Sequence, residues 1–111
     1  SMIRSQVESW INQSIEVIVV TGGSGVGPRD VTPEAVAPLI EKPLPGVTQT
    51  LIRYGQDRMR TAMLSRSIAG IAGQSLVLAI PGSPSACEDA LNALFPGLLH
   101  VIDAMRDTGR A

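Results

Sequence analysis

The 111-residue chain has a single cysteine, Cys87, and a single histidine, His100. One thiol excludes an internal disulfide and a cysteine-built zinc site, and it fits a reducing, cytoplasmic setting. Aromatic residues are almost as scarce, with one Trp, one Tyr and one Phe, so aliphatic side chains have to build the core. Charge is thin and balanced. Nine basic residues against ten acidic ones leave no basic stripe able to neutralise a phosphate backbone, and nucleic acid is not expected as a partner. No apolar run approaches the roughly 18 residues of a membrane span, and no signal peptide precedes the first helical pattern. What is present is a chain 44% hydrophobic, of a size that predicts one domain.

Along that chain, helix and strand signals alternate. Ile3, Val7, Trp10 and Ile11 recur at helical spacing, which predicts an amphipathic helix over Ile3 to Asn12. Ile15 to Val20 is a short, mostly β-branched run, expected as a strand buried on both faces of a parallel sheet. Thr32-Pro33-Glu34 places a capping hydroxyl, a proline and an acid at a helix start, and that helix is expected to reach Lys42. Pro43 and Pro45 end it, a second helix covers Gly46 to Gln56, and a third, shorter one is expected over Met59 to Ser67. Leu76 to Ile80 is the second firm strand, with Ile68 to Ile71 a third if extended. Ser83 and Pro84 then open a helix with Leu91 and Leu94 on its buried face. A last helix, Gly97 to Asp107, carries Leu98, Leu99, Ile102 and Met105 inward, and the Thr108 to Ala111 tail is expected to fray. The class is therefore α/β with a parallel sheet, but the strands are too few for the usual sheet.

Both firm strands run into glycine turns, and ligands of parallel sheets bind beyond the strands' carboxyl ends, where helix N-termini present unpaired amides. The two turns are expected at one edge of the sheet. The first, Gly22-Gly23-Ser24-Gly25-Val26-Gly27, permits positive φ and a close backbone approach. It is no Walker loop, lacking the Lys-Ser/Thr pair, and Pro28 stands where the dinucleotide fingerprint needs its third glycine. Asp30 follows the turn. A carboxylate beside a phosphate site repels the ligand unless a cation intervenes, so Asp30 reads either as a Mg²⁺ ligand bridging to a nucleotide or as a charge that steadies the next helix. The second turn, Pro81-Gly82-Ser83-Pro84, is read first as a tight strand-to-helix connection and second as part of a pocket. Ser65 and Arg66 could supply a hydroxyl and a fixed cation, though arginines also snorkel from apolar helices. Arg29 divides the same way between solvent and phosphate. Cys87 reads as a small core residue and His100 as a helix-surface or packing one, neither as a ligand, and no serine has a His-Asp partner for triad hydrolysis.

Taken in order, Thr21-Gly22-Gly23-Ser24-Gly25, then Pro28-Arg29-Asp30-Val31-Thr32-Pro33-Glu34-Ala35, then Ala62-Met63-Leu64-Ser65-Arg66 with Ala69-Gly70, then Pro81-Gly82-Ser83-Pro84, the chain resembles the molybdenum cofactor biosynthesis family. That family includes the MogA- and MoaB-type molybdopterin adenylyltransferases and the gephyrin G domain. The resemblance implies a three-layer α/β/α domain with a mostly parallel sheet, trimeric, which adenylylates molybdopterin with Mg²⁺ and ATP and releases pyrophosphate. It places Gly22, Gly23, Ser24 and Gly25, together with Pro81, Gly82 and Ser83, in the ligand pocket. Asp30 becomes the essential acid near metal and phosphates.

Two departures bear on that implication. The family commonly carries Thr where Ser24 stands, which keeps a hydroxyl. Its domain also starts some 50 residues earlier, with further strands and a second acid, so this chain reads as the carboxyl-terminal two thirds of a domain, expected to bind poorly or be inactive by itself. Gly55-Gln56 and the run Leu94 to His100 look most like MoaB-type members, some of which are fused behind a MoaC-type cyclase domain. Two alternatives stand: a non-catalytic molybdopterin-binding or assembly module, and a relative of the competence-damage protein acting on pyridine nucleotides.

Overall fold

A computed structural model describes residues 2–106. Helix α1 (Met2–Asn12) opens the chain and strand β1 (Val17–Thr21) follows, both close to their predicted spans. Helix α2 (Thr32–Val36) is shorter than expected: it tightens into a 3₁₀ turn at Ala37–Leu39 and gives way to strand β2 (Lys42–Pro43). Two prolines explain the change. Pro38 brings no N–H to the helix, and Pro43 holds Lys42 in an extended conformation, so the chain pairs instead, Glu41 N donating to Ile71 O at 2.8 Å and Leu44 N to Ala69 O at 2.9 Å.

Helix α3 (Pro45–Gln56) matches its expectation, and strands β3 (Ile68–Ala72) and β4 (Ser75–Ile80) follow a 3₁₀ segment, Arg60–Leu64. The helix expected over Met59 to Ser67 is thus a 3₁₀ turn followed by extended chain, because Arg66 N is taken by Ser24 O at 2.6 Å. Helix α4 (Pro84–Leu94) starts as predicted, with the Ser83 hydroxyl accepting from Ala86 N, and α5 (Leu99–Arg106) completes the described residues. The tail Thr108 to Ala111, expected to fray, and the end of the last helix at Asp107 lie outside them.

The sheet runs in the order β1-β4-β3-β2. β1 pairs with β4 in parallel, Val17 opposite Leu76 through Thr21 opposite Ile80. The remaining pairs, β3 with β4 and β2 with β3, are antiparallel, so the sheet is mixed where mostly parallel pairing was expected. Connection length decides this: β3 and β4 are separated only by Gly73 and Gln74, enough for a hairpin and far short of the dozen or so residues that a parallel crossover takes.

Helices cover both faces, giving three layers. Leu76, Leu78 and Ile80 point to one side, into Leu51 of α3, Ala90 and Leu94 of α4, and Leu98. Val77 and Ile18 point to the other, into Val7 of α1 and Val36 of α2. This is the period-two alternation of a strand sealed on both faces, and it holds in full for β4. β1 departs from it. Val19 is 40% exposed, because β1 is the outer strand of the sheet and its face toward the α3–α4 layer is open. Leu91 and Leu99, expected inward, are exposed as well, while Val101 and Met105 make the α5 contact with the core.

Candidate functional site

The parallel pairing of β1 and β4 brings both strands to an end at one sheet edge, Thr21 opposite Ile80, and the two glycine turns emerge side by side. Gly22 N donates to Ile80 O at 2.9 Å. Gly22 and Gly23 have φ of +93° and +66°, a left-handed region costly to any side chain. A Cβ on Gly82 would sit 2.7 Å from Gly22 Cα, so the turns touch backbone to backbone.

The first turn is braced from within. Thr32, 3% exposed, donates its N–H to Gly23 O at 3.0 Å, and its hydroxyl fills the space where a Gly23 side chain would start. Asp30 folds back on the turn: its Oδ2 accepts from Gly27 N at 2.9 Å, and its own N–H donates to Gly27 O at 3.0 Å. The carboxylate therefore shapes the glycine turn itself, while helix α2 has Val31 at its N-cap with no side-chain cap, where the Thr32 hydroxyl was expected.

Arg66 closes the arrangement. Its Nε donates to Gly25 O at 2.8 Å and its Nη2 to Asp30 O at 2.5 Å, while Nη1 and Nη2 form a fork on the Glu34 carboxylate. These bonds hold the guanidinium in place against the turn, and the snorkelling reading does not describe it. Arg29, by contrast, is exposed. Ser24 is buried, 5% exposed. Ser65 lies beside the turn's anchor, its hydroxyl 2.8 Å from that of Ser67, and both serines line an apolar cleft with Leu51, Met59, Pro81 and Ala86. The Ser83 hydroxyl is engaged at the start of α4, 3.4 Å from Ala86 N.

Glu34, Thr32 and Ser67 were missed as parts of this cluster. Glu34 was visible only as an acid in a first helical turn; its pairing with a residue 32 positions on leaves no local signal. The Arg66 hydrogen bond holds the Glu34 carboxyl below its ordinary value of 4.5, against a smaller opposing effect of desolvation. A depressed folded-state value stabilises the fold above the unfolded pKa, and the contribution disappears as pH falls through the folded one. Glu34→Gln is accordingly expected to flatten the fall in stability below about pH 4.5, read by urea melts at stepped pH. Glu34 is exposed and solvent-screened, so the change is small.

Among the described residues no three His, Cys, Asp or Glu side chains cluster to hold a metal. Among the described residues no helix is long and apolar enough to cross a membrane. Cys87 packs against the α3–α4 core and His100 is exposed, both as expected.

Comparison with known proteins follows the same lines. The molybdenum cofactor biosynthesis bifunctional protein of Chlorobaculum tepidum is 47% identical over 109 residues, which are 98% of this chain and 35% of that protein. Molybdenum cofactor biosynthesis protein B of Staphylococcus carnosus is 40% identical over 90% of this chain and 61% of its own length. The chain thus spans about a third and about three fifths of these two curated relatives. Among solved structures, MoaB of Thermus thermophilus superposes with a TM-score of 0.88 at 33% identity, over 96% of this chain and 68% of that one. Residues 1–100 match the family described as "Probable molybdopterin binding domain", and with the glycine turns and the α/β fold in agreement, the chain belongs to that molybdenum cofactor biosynthesis family.

Proposed function

We propose that the full-length protein transfers the adenylyl group of ATP to molybdopterin. One observation carries this reading: the turns that follow two adjacent parallel strands meet at Gly22 and Gly82, beside the start of α4, where bare amides favour phosphate oxygens. Family membership supports the pterin as one ligand, and the resemblance of the turns supports the nucleotide as the other.

In the reaction an oxygen of the pterin's phosphate attacks the α-phosphorus of ATP. The new P–O bond forms as the bond to the α–β bridging oxygen breaks, and pyrophosphate leaves with the electron pair. The chain's part is to hold the phosphates in line and to present donors to the oxygens where charge accumulates. The backbone of Gly22, Gly23, Ser24 and Gly25 would serve the phosphates, with Pro81, Gly82 and Ser83 closing the pocket. Ser65 would border the apolar cleft that leads from it.

Asp30 is the residue that would hold Mg²⁺. Its Oδ2 has one hydrogen bond, from Gly27, and an ionised carboxylate keeps further lone pairs for an ion. One carboxylate with substrate phosphates suits Mg²⁺, which retains much of its water. Bound there, the ion would neutralise charge on the transferring phosphoryl group. The half-exposed Val19 on the edge strand supports its burial against another surface, in keeping with the trimer that the resemblance implies and with the cyclase domain that some MoaB-type members carry upstream.

A second reading has an observation of its own: Asp30 and Arg66 both bond to the turn's own backbone, as in a module that binds molybdopterin without reacting it. ATP labelled at the α-phosphate separates the two. With Mg²⁺ and molybdopterin, the full-length protein is expected to move label onto the pterin in step with pyrophosphate release. Pterin binding with no label transferred would establish the binding module instead.

A further inference from the structure

We propose that Arg66 is a positioning residue for the phosphate-binding turn and touches no ligand itself; this rests on the reading of the turn given above. The segment from Gly22 to Asp30 contains Gly22, Gly23, Gly25 and Gly27 and no regular secondary structure, so it loses much conformational freedom when ordered. Arg66 supplies the order from outside. Four of its five side-chain N–H groups are engaged, one on Gly25 O, one on Asp30 O and two on Glu34. Its main-chain N–H holds Ser24 O at 2.6 Å.

One guanidinium therefore ties the middle of the turn, its Asp30 end and the start of α2 to the extended chain leading into β3. With so many donors committed inward, the side chain is poorly placed to grip a phosphate as well. A planar fork is needed for this, since an ammonium cannot donate in parallel to two carbonyls and a carboxylate. Lysine is then nearly as poor a replacement as alanine.

The probe is Mg-ATP, followed through the backbone amide resonances of Gly22, Gly23 and Gly25 in the full-length protein. Saturable shifts are expected in the wild type. Arg66→Ala and Arg66→Lys are each expected to weaken affinity at least about tenfold, the scale of one lost charge-assisted hydrogen bond. Ethylguanidinium, and not ethylammonium, should restore binding to Arg66→Ala. Glu34→Gln should weaken binding in the wild type and change nothing in the Arg66→Ala background.

Affinity in Arg66→Ala within about twofold of the wild type would overturn the proposal, as would equal rescue by ethylammonium, which needs only a point charge. Wild-type amides that do not respond to Mg-ATP would remove the turn itself as a ligand site, a failure of the underlying reading and distinct from the first two. Should Arg66→Ala not fold, Arg66→Lys carries the test, and affinity in it within about twofold of the wild type refutes the positioning role.

Discussion

Asp30→Asn is expected to lower adenylyl transfer by the full-length protein about 10²- to 10³-fold while leaving its melting temperature within a few degrees of the wild type. The asparagine is chosen for what it keeps. Its amide oxygen can accept the Gly27 N–H as Oδ2 does now at 2.9 Å, so the turn retains its internal bond and only the negative charge is lost. A residue whose sole task is to shape the turn would tolerate that exchange. A residue that anchors a cation beside transferring phosphates would not, because loss of one preorganised electrostatic element at a developing charge costs about 2.7–4 kcal/mol of barrier. Asp30→Ala removes both functions together and is the less informative variant. The measurement is kcat for label transfer at saturating ATP, with Mg²⁺ raised across a wide range. A rate for Asp30→Asn equal to that of the wild type at every Mg²⁺ concentration would reduce Asp30 to a structural residue and leave the turn to bind phosphate by its amides alone.

Much of the scaffold was legible because it is written in local rules. The spacing of Ile3, Val7 and Ile11, the β-branched run before Thr21 and the Ser83-Pro84 cap each specify their element over a few residues. So was the shared sheet edge of the two turns, which follows from parallel pairing. What escaped was set by contacts distant in sequence. The extended chain at Ser65 and Arg66 arises because Arg66 N bonds to Ser24 O, a pairing no helical propensity can anticipate. The antiparallel β3–β4 hairpin had a local signal in its two-residue connection, but only once Ile68–Ala72 was granted as a strand. The open face at Val19 was illegible for a different reason: an apolar run looks the same whether or not a neighbouring layer covers it.

Gly82→Ala tests the meeting of the turns directly, and it is expected to cost the full-length protein about 1–3 kcal/mol of stability and about 10²-fold in transfer rate. The added methyl would lie 2.7 Å from Gly22 Cα and 3.2 Å from Gly22 N. Both are main-chain atoms, so no rotamer change relieves the contact and one turn has to move. Gly22 cannot easily yield, because its φ of +93° and its bond to Ile80 O fix it at the end of β1. Displacement therefore falls on the Pro81-Gly82-Ser83 side and carries the start of α4 with it. A shift of about 1 Å is enough to take reacting groups out of line, and that misalignment reduces rate more than it reduces fold stability. Gly46→Ala is the control, since a Cβ there meets nothing within 4 Å and favours the helix; it should leave the rate unchanged and hold or raise stability. Thermal melts and single-turnover label transfer on the two variants give the comparison. If Gly82→Ala matched Gly46→Ala in both, the close approach of the turns would be incidental to the chemistry, and the pocket would have to be sought along the apolar cleft beside Ser65 and Ser67 instead.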